Sequence, residues 1–243
     1  MKKNTFKMLP FFLVLIFLFI CVGSAEAHDL WLNVENHYPE TERKVGIKVI
    51  FGHNFPHPDI LIPEKAISEF SYVTPSGEKK LVGNIREYKQ GERKGVLLGE
   101  LSFYDFDSRA GTYVVAAARK RKGDKNRVPS EKYGKTIIVV GNKSTESVRY
   151  EFGHRIEIIP LANPSMIKAG GVLPVKILFE GKPLSTYVYA TYAGYWSNDA
   201  PFPVLVKSDE KGMAYIKIDR PGTWLILSNH KVNFSASLTF EIK

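Results

Sequence analysis

Six histidines and 25 acidic residues are available for chemistry, and four of the histidines stand where a ligand would be useful. His28 follows Ala25-Glu26-Ala27, an A-x-A cleavage signal preceded by the apolar run from Phe11 to Val22 and by the basic residues Lys2, Lys3 and Lys7. That order is expected to be a secretory signal peptide over residues 1–27, and its removal makes His28 the N-terminal residue. An N-terminal histidine offers an α-amine and an imidazole Nδ1 that close a chelate on one metal ion. The amine, with an ordinary pKa of about 7.7, gives up its proton at modest cost. Asp29 stands ready to add a carboxylate. Leu30 occupies the third position, so the pattern that wraps a metal in backbone amides around a third-position histidine is absent.

His53 lies in Phe51-Gly52-His53-Asn54-Phe55-Pro56-His57-Pro58-Asp59, directly after a strand signal, in a polar turn fixed by Gly and Pro. The four-residue spacing to His57 has no helical meaning across Pro56, and His57 reads as an exposed loop residue. His53 itself suits a ligand and a turn-capping side chain equally. His154, in Phe152-Gly153-His154-Arg155-Ile156, again follows a glycine before a strand, and His230 ends the strand signal Trp224-Leu225-Ile226-Leu227-Ser228-Asn229. Each of these two taken alone fits a hydrogen-bonded structural histidine. His37 has no distinguishing context and reads as a surface residue.

Other chemistry is narrowed by what is missing. There is no G-x-S-x-G elbow, no H-E-x-x-H and no P-loop, so the chain is expected not to be an enzyme. Cys21 is the single cysteine and falls inside the signal segment, which leaves the exported protein without thiol or disulfide. Taking 27 residues from 243 leaves 216, and removing three lysines and Glu26 lowers the formal charge from +9 to +7. The basic residues are spread thinly. Their densest run, Arg119-Lys120-Arg121-Lys122, is followed by Gly123-Asp124 and reads as a solvated hairpin tip rather than a nucleic-acid or lipid surface. Beyond the signal no segment is apolar for long enough to form a membrane helix. The product is expected to be periplasmic or extracellular.

The elements that must position these histidines are strands. Short runs rich in Val, Ile, Tyr and Phe, set between turn residues, cover Val45 to Phe51, Ala66 to Thr74, Val96 to Phe103, Gly111 to Ala118 and Lys135 to Val140. Thr74-Pro75-Ser76-Gly77-Glu78 predicts a tight turn, and Asp107-Ser108-Arg109-Ala110 another. After the polar stretch Gly141 to Ser147, a second set comprises Arg155 to Pro160, Leu173 to Glu180, Tyr187 to Tyr192, Val204 to Val206, Met213 to Ile218, Thr223 to Ser228 and Ser237 to Ile242. The expected fold is all-β, with two tandem β-sandwich domains over residues 28–150 and 151–243. Tyr187, Tyr189, Tyr192, Tyr195 and Trp196 fit either one core-packed face of a strand or the platform of a metal-free adhesion or carbohydrate-binding module.

Several phrases carry a family resemblance. His28-Asp29-Leu30-Trp31-Leu32, Phe51-Gly52-His53-Asn54-Phe55, Gly153-His154-Arg155-Ile156-Glu157 through Pro164, Gly181-Lys182-Pro183-Leu184 and Pro221-Gly222-Thr223-Trp224-Leu225 together resemble a bacterial extracytoplasmic family grouped with nickel-uptake (NikM-type) transport components. The resemblance implies an accessory protein that binds Ni²⁺ or Co²⁺ beside an energy-coupling-factor-type membrane transporter, with His28, His53, His154 and His230 as the metal-ligating residues. Asn54 departs from the pattern, which commonly has Pro there. Ile177 to Tyr192 is similar to transthyretin-like modules, which implies a transthyretin-like or immunoglobulin-like second sandwich. Nitrogen donors of this kind suit several transition metals, and by affinity alone Cu²⁺ comes first. The alternative from the same ligands is therefore a copper-binding protein built on the N-terminal histidine chelate.

Overall fold

The computed structural model describes residues 28–41, 43–103, 110–125, 128–197, 202–231 and 233–243. The expected signal peptide, Cys21 and the Asp107-Ser108-Arg109 part of the expected turn lie outside the described residues. Among the described residues no helix is long and apolar enough to cross a membrane.

The chain is all-β. Its strands are β1 (Asp29–Val34), β2 (Lys44–Gly52), β3 (Glu69–Val73), β4 (Lys79–Leu81), β5 (Gly83–Lys89), β6 (Gly95–Ser102), β7 (Gly111–Arg121), β8 (Ser130–Val140), β9 (Ile156–Pro160), β10 (Val172–Phe179), β11 (Lys182–Pro183), β12 (Tyr187–Tyr192), β13 (Val204–Lys207), β14 (Met213–Lys217), β15 (Gly222–His230) and β16 (Phe234–Ile242). They form a four-stranded sheet in the order β1-β2-β6-β5, and a small sheet in which β10 carries β9 on one edge and β14 and β11 on the other. The third sheet has eight strands, in the order β13-β12-β15-β16-β8-β7-β3-β4.

That eight-stranded sheet crosses the expected division at residues 150 and 151. β16 pairs with β8 in parallel, from Phe234 against Glu131 to Thr239 against Thr136, so strands from the two halves of the chain belong to one hydrogen-bonded layer. The two sandwiches are built on opposite faces of it. Val115, Ala117, Ile138 and Val140 pack into the core under β1, β2 and β6, with Leu30, Leu32, Ile47, Val49 and Leu97. Their neighbours along the same strands, Ala118, Tyr133, Ile137 and Val139, pack into the other core with Ile156, Ile158, Val175, Trp224 and Phe240. A strand with period two sends alternate side chains to opposite faces, and one buried on both faces reads as a continuous apolar run. β7 and β8 show this: from Gly111 to Ala118 and from Lys132 to Val140 every residue is buried.

β1 lies across this central layer at short range. The hydroxyls of Ser237 and Thr239 donate to the carbonyls of Leu30 and Leu32, each at 2.6 Å. A Cβ at Gly134 would stand 3.2 Å from the Cα of Trp31. β1 delivers His28 to the end of this layer.

Several expectations are corrected here. Arg119, Lys120 and Arg121 are strand residues paired with Lys132, Glu131 and Ser130, not a solvated tip. Sequence reading gave no strand at β1, β4, β5 or β11, of which β4, β5 and β11 are largely exposed. Tyr187 and Tyr189 face away from the core that holds Val188 and Ala190, and Tyr187 is exposed. His37 is buried, and its Nδ1 lies 2.8 Å from the Ile137 carbonyl.

Candidate metal centre

β1 and β2 pair antiparallel with Asp29 opposite Gly52, so His28 and His53 are the next residues outward from the end of the ladder. The geometry follows. Their rings stand 3.8 Å apart between centroids, tilted by 47°, and the His28 ring stacks on Phe51 at 5.0 Å. The loop after β2 then turns back on itself. The backbone N–H groups of Asp59 and Ile60 both donate to the Phe51 carbonyl, at 3.1 and 3.2 Å, and His57 N–H donates to the Asn54 carbonyl at 2.7 Å.

This fold-back puts Asp59 against His53. One carboxylate oxygen, Oδ2, accepts from the His53 backbone N–H and lies 2.8 Å from its Nδ1. A ring nitrogen that donates to a carboxylate fixes the tautomer and leaves the lone pair on the other nitrogen, here Nε2. His28, His53 and Asp59 each offer a ligand atom, and these atoms all lie within 4.8 Å of one another. Gly52 sits in a tight place: a Cβ there would stand 3.0 Å from the His57 carbonyl oxygen and 3.2 Å from the Asp59 carboxyl carbon, so the loop would have to shift by a few tenths of an ångström.

The structure does not bring His154 and His230 to this place. Arg119 stands over Phe51, the stacking partner of His28, whereas the next residue, Lys120, stands over Tyr133, on which His154 stacks at 4.5 Å. Successive strand residues face opposite ways, so the two histidine positions lie on opposite faces of the central sheet. His154 is buried, with Nε2 3.1 Å from Glu69 Oε2. Burial works to raise the Glu69 carboxyl, but hydrogen bonds from His154, Lys79 and Ser71 outweigh it and hold the group at about 2. His230, at the end of β15, packs its ring 4.3 Å from Phe179 of β10, on the His154 side of the sheet. Burial and the neighbouring Lys231 push its pKa down. His57 is exposed and outside the ligand group, and Asp29 is 3.3 Å from Lys132 Nζ.

Asp59 is the site residue the sequence did not single out. It stands in the same loop phrase as His53, but only the fold-back onto Phe51 turns a six-residue separation into a 2.8 Å contact.

A cavity of about 490 Å³ adjoins the centre. Its wall includes His53, Gly52, Asp29, Trp31 and Phe55 from the first half of the chain and Thr191, Tyr195, Trp196, Phe202, Leu225 and Leu227 from the second. Trp31 and Leu225 also belong, with Ile50 and Val96, to a small separate cluster against which Phe55 packs.

Residues 25–232 match the family described as a domain of unknown function, DUF4198. The chain belongs to the DUF4198 family. No curated protein matches this DUF4198 member significantly in sequence. Among solved structures it is similar to the D0-D1 domain of intimin, at 14% identity and a TM-score of 0.26 over 87% of this chain and 96% of that one. It is also similar to murine CEACAM1b, at 10% identity and a TM-score of 0.24 over 88% and 99% of the two chains. The Escherichia coli adhesin FdeC matches at 13% identity and a TM-score of 0.27 over 87% and 62%. Likeness of this degree carries no argument about function.

Proposed function

We propose that this DUF4198 protein is an exported binding protein for a divalent transition metal, held by His28 and His53 with Asp59, and that it works as a non-enzymatic accessory to a membrane metal-uptake transporter. The observation that carries the reading is the convergence of two imidazoles and one carboxylate within 4.8 Å at the end of the β1–β2 ladder. Borderline nitrogen donors select late first-row ions, and the carboxylate both orients His53 and offsets part of the ion's charge. Ni²⁺ or Co²⁺ is the cargo that the family resemblance implies. A free His28 amine, once the signal is cut, adds a third nitrogen and closes a chelate with the imidazole of the same residue.

A second reading rests on the His28 chelate. Three nitrogens, two of them from one residue, make a donor set that suits tetragonal Cu²⁺, which outcompetes Ni²⁺ and Co²⁺ for such ligands. One calorimetric series separates the two. The chain beginning at His28 is titrated with Ni²⁺, Co²⁺ and Cu²⁺ at neutral pH, and the expected result is one ion per chain, lost in His53→Ala. A one-residue extension before His28 keeps the imidazole but turns the amine into an amide, and affinity is expected to fall by about tenfold or more because an amide binds only after deprotonation. Absence of heat for all three ions would overturn the metal reading. For the transporter role, a deletion strain should accumulate less nickel or cobalt under limitation, and unchanged accumulation would count against it.

A further inference from the structure

The cavity beside the centre shares His53 with it. Two features define what would fill it. Its volume of about 490 Å³ falls within the range of roughly 300–1,000 Å³ in which small-molecule pockets occur, and it lies where the two halves of the chain meet. Its lining is rich in aromatic residues, with Phe55, Tyr195, Trp196 and Phe202.

The metal side supplies the complement. Two imidazoles and an amine do not fill the coordination sphere of Ni²⁺ or Co²⁺, so an ion at His53 keeps positions for donors from outside, and His53 stands in the cavity wall. We propose that the cavity holds the organic part of a metal chelate. The cargo is then an ion carrying a small, planar, carboxylate-bearing heteroaromatic ligand, with the ring against the aromatic wall and the carboxylate on the ion. This inference rests on the metal reading above and adds the chemical form of the cargo.

Picolinate, a planar pyridine carboxylate, is the probe. The chain beginning at His28 is titrated with Ni²⁺ alone and, separately, with a preformed one-to-one Ni²⁺–picolinate complex, and the species formed are weighed by native mass spectrometry. The expected result is a ternary complex of chain, ion and picolinate. Phe202→Ala and the exposed-residue variant Trp196→Ala are expected to weaken uptake of the complex roughly fivefold to tenfold, as loss of aromatic contact does, while affinity for the bare ion is unchanged. If picolinate strips the ion, or the variants take up the complex as the parent does, the inference is overturned and the metal reading stands. If the bare ion does not bind, the metal reading fails; if the preformed complex does not bind, this inference fails.

Discussion

Asp59 does for His53 what a lone loop histidine cannot do for itself. Free imidazole exchanges its proton between two nitrogens and rotates about its side-chain bonds. The carboxylate 2.8 Å from Nδ1 holds one tautomer and one orientation, with the lone pair on Nε2. Replacing Asp59 by Asn keeps the shape but removes the charge and weakens the acceptor. Metal affinity is expected to fall about 10- to 100-fold in Asp59→Asn, the range found when a carboxylate behind a ligand histidine is lost, with the folded state unchanged by circular dichroism. Equal affinity in the parent and the variant would remove Asp59 from the site. The same protons set the pH dependence. Binding is expected to weaken as pH falls below about 6.5, where imidazoles begin to hold a proton that the ion must displace, and calorimetry at two pH values measures it.

Among the elements, β8 and β9 are tied by a buried ion pair between Lys135 Nζ and Glu157 Oε1, whose side chains are 3% and 2% exposed. Glu157 also accepts the backbone N–H groups of Phe152, Gly153 and His154, at 2.7, 3.1 and 3.3 Å, which shapes the connection into β9. Burial pushes the Lys135 pKa down, against the pull of the Glu157 carboxylate. Taking away the lysine leaves a carboxylate uncompensated inside the second core, which costs about 3–5 kcal/mol in comparable buried pairs. Lys135→Met is expected to show a loss of that size in urea unfolding. The double variant Lys135→Met, Glu157→Gln should lose less than the two single variants added together, because the second change removes the stranded charge. An additive result would mean that the pair does not couple β9 to the central sheet.

Across the whole molecule, His37 links protonation to folding. Burial lowers its pKa from 6.5 to about 4, against the opposing hydrogen bond that its Nδ1–H donates to the Ile137 carbonyl, so the folded state holds it neutral where the unfolded chain would protonate. The sign follows from proton counting: between pH 6.5 and 4 the unfolded state binds the extra proton, so stability is fully present above about 6.5 and is lost as pH falls through that window. The depressed value corresponds to roughly 3 kcal/mol. His37→Gln should flatten the dependence of unfolding free energy on pH between 6.5 and 4, and an unchanged slope would assign it to other groups.

The sequence by itself determined the all-β class and most strand positions, because period-two patterning and turn residues act locally, and it singled out His28 and His53, which the fold brings together. It also showed β7 and β8 as apolar runs, although not that the runs serve two cores. What only the tertiary structure decided is which residues meet. His154 and His230 carry the same strand-end placement as His53, yet alternation along β7, β8 and β15 sends them to the other face of the central sheet. The loop fold-back brings in Asp59, and the parallel pairing of β16 with β8 joins two sets of strands that looked separate. These contacts depend on register and on hydrogen bonds formed after the chain turns, and neither is encoded in the spacing of residue types along one segment.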